Sequence, residues 1–132
     1  MSNGQKYGMQ ARLHLTYEQA IEKVTAALKV EGFGVLTTID VKQTMRQKLD
    51  FDFRKYIILG ACNPHLSHQS LSDELEVGLL LPCNVIVYED NGGSVVSILD
   101  PVRMLSLAGN PQLEPVADQA KEKLERVLEN LV

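Results

Sequence analysis

The spacing of hydrophobic residues changes along the chain and divides it into predicted strands and helices. From Tyr7 to Leu15, apolar residues alternate with polar or small ones, which is the period of a half-buried strand. Thr16 and Gln19 then fit a capping box, and Gly32 stands where a helix usually ends. Between them, apolar residues recur at steps of three and four, which predicts a helix (Tyr17, Ile21, Val24 and Leu28).

The middle of the chain continues this alternation of strands and short helices. The stretch "FGVLTTID" is rich in β-branched and aromatic residues and predicts a strand, after which Asp40 can cap the short helix "VKQTMRQKL". The near-continuous apolar run "KYIILGAC" is typical of a strand covered on both faces. Asn63 and Pro64 suit the cap and first position of another helix. We expect that helix to be anchored to the core by Leu66, Leu71 and Leu75.

The last third of the chain predicts a hairpin and a long helix. "VGLLLPCNVIVY" reads as one extended segment that is bent or bulged at Pro82. Asn91-Gly92 favours a tight hairpin turn into the partner strand "SVVSIL". A terminal helix carries an apolar stripe formed by Val116, Ala117, Ala120, Leu124, Val127, Leu128 and Leu131.

This order of elements indicates an α+β fold. We expect residues 1–132 to form a single domain, with a mostly antiparallel sheet packed against two long helices and short helices between strands. The sequence contains no repeat, low-complexity tract or linker that would suggest a second unit.

Charge and composition narrow the classes of partner. The formal net charge is −4, which provides no general attraction for nucleic acid or anionic membranes. A local basic cluster (Lys42, Arg46, Lys48, Arg54 and Lys55) is interrupted by aspartates and is typical of a solvated helix face. The start resembles no signal peptide, and no apolar run reaches the roughly 18 residues of a membrane span. We therefore expect a cytoplasmic protein with reduced thiols, and neither nucleic acid nor a membrane as partner.

Two Cys-Asn pairs carry the candidate chemistry. Cys62 lies just before a predicted helix N-terminus, a position that favours a thiolate able to act as nucleophile or ligand; packing as a small hydrophobe is the competing interpretation. Cys83 follows a proline inside an apolar run, which favours a core position more strongly. Asn63 and Asn84 can cap helices and form hydrogen bonds to backbone groups where a strand bends. Alternatively, their carboxamides can form hydrogen bonds to a ligand.

A metal site is the weaker hypothesis for this region. His65 and His68 lie three residues apart on one predicted helix face, and with the cysteines they could complete a Cys2His2 set. The spacing matches no familiar zinc module, so we predict no metal, and the pattern identifies no cofactor.

The segments "LGACNP", "GLLLPCNVIVYED" and "EGFGVLTTIDV", with the terminal helix, resemble the family called domain of unknown function 302. The resemblance extends from about Tyr7 to Leu131. It implies a curved sheet with helices packed inside the curve, a bacterial or archaeal protein and a homodimer, but no reaction. His65 and His68 stand where family members carry small or apolar residues, so a mechanism that uses them would not extend to the family.

These observations leave three functions open. The first is a small-ligand-binding module with a pocket near Cys62, Asn63, His65, Cys83 and Asn84. The second is a thiol-dependent enzyme, or a redox or metal sensor, that uses Cys62. The third is a structural or protein-interaction domain in which both motifs serve folding alone.

Overall fold

The computed structural model describes residues 7–132. Most of its helices and strands begin or end at the capping and turn residues that the sequence contains. The strands are β1 (Gly8–Leu13), β2 (Gly34–Asp40), β3 (Tyr56–Cys62), β4 (Cys83–Asp90) and β5 (Gly93–Leu99). The α-helices are α1 (Tyr17–Val30), α2 (Val41–Leu49), α3 (Pro64–Asp73), α4 (Pro101–Leu105) and α5 (Glu114–Glu129). Three 3-10 turns lie at Leu75–Leu80, Ser106–Ala108 and Pro111–Leu113.

The five strands form one open sheet in the order β1-β5-β4-β3-β2. Every neighbouring pair of strands is antiparallel. The prediction of a mostly antiparallel sheet is confirmed, and the sheet contains no parallel pair among the described residues. The tight turn at Asn91 and Gly92, both with positive φ, joins β4 to β5 as predicted. Strand β2 lies at one edge, where its pairing with β3 is irregular between Val35 and Thr37.

The core lies between one face of the sheet and the two long helices, α1 and α5. The alternating residues Met9, Ala11 and Leu13 of β1 are buried on that face. Both helices bury an apolar stripe in the same cluster, which confirms the predicted α+β arrangement. The α5 stripe consists of Val116, Ala117, Ala120, Leu124, Val127 and Leu128, as the spacing predicted.

Replacing Thr16 with alanine should destabilise the protein by about 1 kcal/mol, the usual effect of losing an N-cap. The Thr16 hydroxyl accepts a hydrogen bond from the Gln19 backbone N–H at 3.1 Å, and the Gln19 side chain accepts one from the Thr16 N–H at 3.1 Å. Urea denaturation would measure the loss. Thr25→Ala, in the middle of the same helix, is the control and should not destabilise because alanine is the better helix former. Equal losses in both variants would contradict the capping role.

Two predictions between α3 and β4 were wrong. Residues Leu75–Leu80 form a 3-10 turn, and β4 begins only at Cys83, so the apolar run is not one extended segment. Leu66 is buried, but Leu71 is 37% and Leu75 is 81% exposed, so only the first of the three predicted leucines anchors α3. A short, continuous apolar run does not distinguish a buried strand from a helical turn, and tertiary packing determines which one forms.

Most residues of the predicted basic cluster take part in surface salt bridges. Within α2 and the loop after it, Lys42 lies 2.9 Å from Asp52, and Arg46 lies 3.2 Å from Asp50. The two later residues pair with other elements: Arg54 with Asp90, and Lys55 with Glu18. This pairing fits a solvated surface.

Candidate functional site

Both Cys-Asn pairs lie at the same end of the sheet. Strands β3 and β4 are antiparallel neighbours, with Ala61 opposite Cys83 and Gly60 opposite Asn84. The last residue of β3, Cys62, therefore lies beside the first residue of β4, Cys83. Side chains alternate between the faces of a strand, so proximity in the sheet does not make the motif side chains point the same way.

The Cys62 side chain lies between helix α3 and an open groove. Its Sγ is 3.0 Å from the Ser67 Oγ on the second turn of α3, and the residue is half-buried. The groove has a volume of about 380 Å3 and is named here the Cys62 groove. Its lining consists of Thr25, Lys29, Gly32, Phe33, Gly34, Val35, Leu36, Cys62 and Pro64.

Gly34 keeps the Cys62 groove open. It pairs directly with Cys62 across β2 and β3, and it lines the groove. A Cβ atom built at Gly34 would meet no protein atom within 4 Å. Packing therefore does not require glycine here, and a glycine inside a strand often marks a place that another molecule approaches closely.

The Asn63 side chain is used by the protein itself. It is buried, and its Oδ1 accepts a hydrogen bond from the Leu66 N–H at 3.3 Å, which caps α3. Its Nδ2 donates to the Glu31 carbonyl at the end of α1, at 3.5 Å. Gly32 has a φ of +84°, and a Cβ there would lie 3.0 Å from the Asn63 Nδ2. Asn63 thus fastens the start of α3 to the end of α1.

Cys83 is half-buried, like Cys62, and lies on the core face of the sheet opposite the buried Ala61. It lines a cavity of about 30 Å3, together with Asn63, Ser67 and Ser70 among other residues. This Cys83 cavity has room for about one water molecule and for no larger ligand. Burial raises the pKa of Cys83 to about 11, and the neighbouring Cys62 adds to the rise. Ser67 contacts Cys62 and also lines the Cys83 cavity.

The other two candidate residues lie outside both spaces. Asn84 and His65 are exposed, and neither lines the Cys62 groove or the Cys83 cavity. Of the five candidates, Asn63 and Cys83 share the cavity, and Cys62 alone lines the groove. Within residues 7–132, no group of three or more His, Cys, Asp or Glu side chains could hold a metal ion.

Two further concave regions, neither of them predicted from the sequence, are larger than the Cys62 groove. One lies between α4 and α5, has a volume of about 410 Å3 and includes Leu105 and Asn110 in its lining. The other lies over β3, β4 and β5, on the sheet face opposite the core, and has a volume of about 460 Å3. The rings of Tyr56 and Tyr88 are stacked there with centroids 5.5 Å apart, and Phe53 lies against Tyr56.

Sequence reasoning also missed Thr25, Lys29 and Leu36 as groove residues. Thr25 and Lys29 are exposed positions on a helix, where a binding residue has no distinguishing pattern. The only usable signal was Gly34, a glycine within a β-branched stretch.

The family model for the domain of unknown function DUF302 matches residues 9–131. The chain belongs to the DUF302 family. A solved structure, the uncharacterized conserved protein DUF302 from Bacillus stearothermophilus, superposes with a TM-score of 0.89 at 28% sequence identity. The match covers 97% of this chain and 100% of that one. The DUF302 resemblance inferred from the Cys-Asn motifs is thereby confirmed.

No curated protein matches this DUF302 chain. Among its described residues, 7–132, no helix is both long enough and apolar enough to cross a membrane.

Proposed function

We propose that this DUF302 protein binds a small, largely apolar molecule with one negatively charged group in the Cys62 groove. The observation that carries the proposal is the groove at Gly34, a glycine that packing does not require and that leaves about 380 Å3 open beside a cysteine. That volume lies within the range of about 300–1,000 Å3 found for small-molecule sites. The site includes Cys62 from the first Cys-Asn pair, whereas Asn63 and Cys83 line the separate Cys83 cavity.

The lining determines the class of ligand. Phe33, Val35 and Leu36 provide apolar walls for a hydrophobic body. The Lys29 ammonium lines the same groove, is exposed and forms no salt bridge with another residue of the 7–132 range. A carboxylate or sulfonate on the ligand would pair with it, and the Thr25 hydroxyl offers a further hydrogen bond.

Valine at Gly34 should weaken binding of the apolar anion 8-anilinonaphthalene-1-sulfonate at least tenfold because its side chain occupies the groove. Lys29→Gln should weaken binding about threefold through loss of one exposed charge pair. The matched control is Lys48→Gln, which removes an exposed lysine from α2, outside the groove. Fluorescence titration of the folded proteins would measure each Kd.

Thermal unfolding of each variant should accompany the titration, since the dye also binds partly unfolded protein. An unchanged Kd in a folded Gly34→Val protein would overturn the proposed site. An equal effect of Lys29→Gln and Lys48→Gln would show that the dye responds to overall charge instead.

A thiol reaction at Cys62 is the second candidate function. Its support is the contrast between Cys62, which lines an open groove, and Cys83, which lines an interior cavity. Both cysteines are free thiols, as a reducing cytoplasm would keep them. On this ground we propose a cytoplasmic protein. The DUF302 resemblance supports a homodimer as its working form, which we also propose.

A further inference from the structure

Strand β4 is apolar on both of its faces, although helices α1 and α5 pack on one face of the sheet. Val85 and Val87 are buried in the core between the sheet and these helices. The alternate residues Ile86 and Tyr88 lie on the opposite face and are half-buried there. An antiparallel sheet with one solvated face usually carries polar residues on that face. The second face of β4 instead has the composition of a surface that another molecule covers.

The open concave region of about 460 Å3 lies on this second face and is named here the aromatic site. Its volume falls within the range of about 300–1,000 Å3 found for small-molecule sites. The chain has four tyrosines, three phenylalanines and no tryptophan. Four of these seven aromatic residues line the aromatic site: Tyr7, Phe53, Tyr56 and Tyr88. The fold therefore concentrates the scarce aromatic rings of the chain at one place.

Two tyrosine rings form the wall of the aromatic site. Tyr56 and Tyr88 are cross-strand partners whose rings are nearly parallel, at 7°, with centroids 5.5 Å apart. Phe53 lies against Tyr56 with ring centroids 6.1 Å apart, and the Arg54 guanidinium lies 5.8 Å from the Tyr88 centroid. These contacts order the wall before a ligand arrives. A planar ring can then pack against it by stacking or edge to face at little entropic cost.

A carboxamide provides the polar edge of the aromatic site. Gln10 on β1 donates a hydrogen bond from its Nε2 to the Ser97 Oγ on β5, at 3.1 Å. A carboxamide has two N–H donors and an acceptor oxygen, so this bond leaves an adjacent donor and acceptor of Gln10 for a ligand. Two strand spacings, or about 10 Å, separate β1 from β4. A ligand that reaches from Gln10 to Tyr88 is therefore larger than a single six-membered ring.

Among the described residues that line the aromatic site, Arg54 alone is charged. Its Nη1 lies 3.3 Å from the Asp90 carboxylate, and the Arg12 Nη2 lies closer to the same carboxylate, at 2.7 Å. Two guanidinium groups thus share one carboxylate, which leaves a positive charge here on a protein of net charge −4. The Arg54 side chain is 51% exposed, and its remaining N–H groups can bind a phosphate.

We propose that the aromatic site binds a purine nucleoside monophosphate. The purine ring packs against Tyr56 and Tyr88, and its edge forms hydrogen bonds with the Gln10 carboxamide. The phosphate pairs with Arg54. One arginine on a negatively charged protein does not suit a polynucleotide, whose binding needs several phosphate contacts. This site shares no lining residue with the Cys62 groove, so the proposal is independent of the ligand proposed there.

Isothermal titration calorimetry with adenosine 5′-monophosphate (AMP) should give the wild type a Kd below about 1 mM. Tyr88→Leu should weaken binding about tenfold, because leucine keeps the apolar volume and removes the aromatic ring. Tyr88→Phe is the matched control; it keeps the ring and should bind as the wild type does. Tyr56→Leu provides a second variant if Tyr88→Leu fails to fold.

The charge is tested with a second pair of variants. Arg54→Gln should weaken AMP binding about fivefold through loss of one exposed charge pair, and adenosine without its phosphate should show a similar loss. Arg12→Gln is the matched control, because Arg12 contacts the same Asp90 carboxylate but does not line the aromatic site. Its affinity for AMP should be unchanged.

The absence of binding heat with both AMP and guanosine 5′-monophosphate at about 1 mM would overturn the proposal. Equal affinities of folded Tyr88→Leu and Tyr88→Phe would do the same, as would equal losses in the Arg54 and Arg12 variants. Single-stranded oligoadenylate that binds more than about a hundredfold tighter than AMP would replace the free nucleotide with nucleic acid. Gly34→Val fills the Cys62 groove and should not alter AMP binding; loss of binding in that variant would assign AMP to the groove.

Discussion

Replacing Gly60 with valine will destabilise the protein by about 3 kcal/mol, at the upper end of what overpacking a well-packed site usually costs. A Cβ atom at Gly60 would overlap the Thr37 Oγ1 and would lie 2.8 Å from the Pro82 Cγ. Thr37 is the cross-strand partner of Gly60 on β2, and Pro82 directly precedes β4. The proline ring cannot rotate away, so a side chain at this position must displace a strand.

Gly34→Val is the matched control, since Gly34 lies on the strand next to β3 and a Cβ there meets no atom within 4 Å. We expect its free energy of unfolding to change by less than about 0.5 kcal/mol, as for a surface substitution. Urea denaturation would measure both variants. Adding Thr37→Ala to Gly60→Ala should recover part of the stability lost in Gly60→Ala alone. If both valine variants are equally stable, steric exclusion at Gly60 is the wrong explanation.

Elements defined by local chemistry could be predicted from the sequence. The capping box at Thr16, the Asp40 cap of α2 and the Asn63-Pro64 start of α3 are all present. Each of these signals acts within three or four residues, so it needs no knowledge of the rest of the chain. The hairpin turn at Asn91-Gly92 is equally local.

Elements decided by tertiary packing could not be predicted in this way. The run from Val77 to Leu81 is apolar whether it forms a strand or a 3-10 turn, and only its neighbours determine which. In the folded chain, Val77 is buried against Leu105 and Leu113, whereas Leu79 is 84% exposed. Hydrophobicity alone does not distinguish these two residues.

For the candidate site, the sequence predicted which segment of the chain contributes, but not which side chains line the same space. The strand order brings Cys62 and Cys83 to one end of the sheet, but the direction of each side chain depends on the register of β3 against β4. That register places Cys83 against an interior cavity, whereas Cys62 lines a groove. The register of β3 against β4 is established by pairing between residues that are far apart in the sequence, so a local motif cannot predict it.

Iodoacetamide will modify Cys62 in the native protein at least a hundred times faster than Cys83 at pH 8. With a pKa of about 11, Cys83 is ionised in only about one molecule in a thousand at that pH, and only the thiolate reacts. Its position in an interior cavity limits access further. Cys62 lines the open groove, where the reagent can reach its sulfur. Mass spectrometry of the peptides containing each cysteine would give the two rates.

The same burial of Cys83 predicts a pH dependence of stability. Its pKa in the folded state is raised to about 11, whereas in an unfolded chain a cysteine titrates near 8.5. Above about pH 8.5 the unfolded chain loses this proton first, so the free energy of unfolding falls from there to about pH 11. Below pH 8.5 the contribution is fully present. Cys83→Ala should show a smaller alkaline loss than the wild type, and Cys62→Ala is the matched control.

Alkylation also separates the two explanations for the Cys-Asn pairs. A thiol function requires that Cys62 react in the folded state, and Gly34→Val should slow that reaction by filling the groove that admits the reagent. Gly34→Val should leave the rate at Cys83 unchanged, because Cys83 faces the separate interior cavity. If both cysteines react only at the rate of global unfolding, the cysteines serve packing alone, and a thiol reaction at Cys62 is excluded as the function. Non-covalent ligand binding in the Cys62 groove would still be tested by the dye titration.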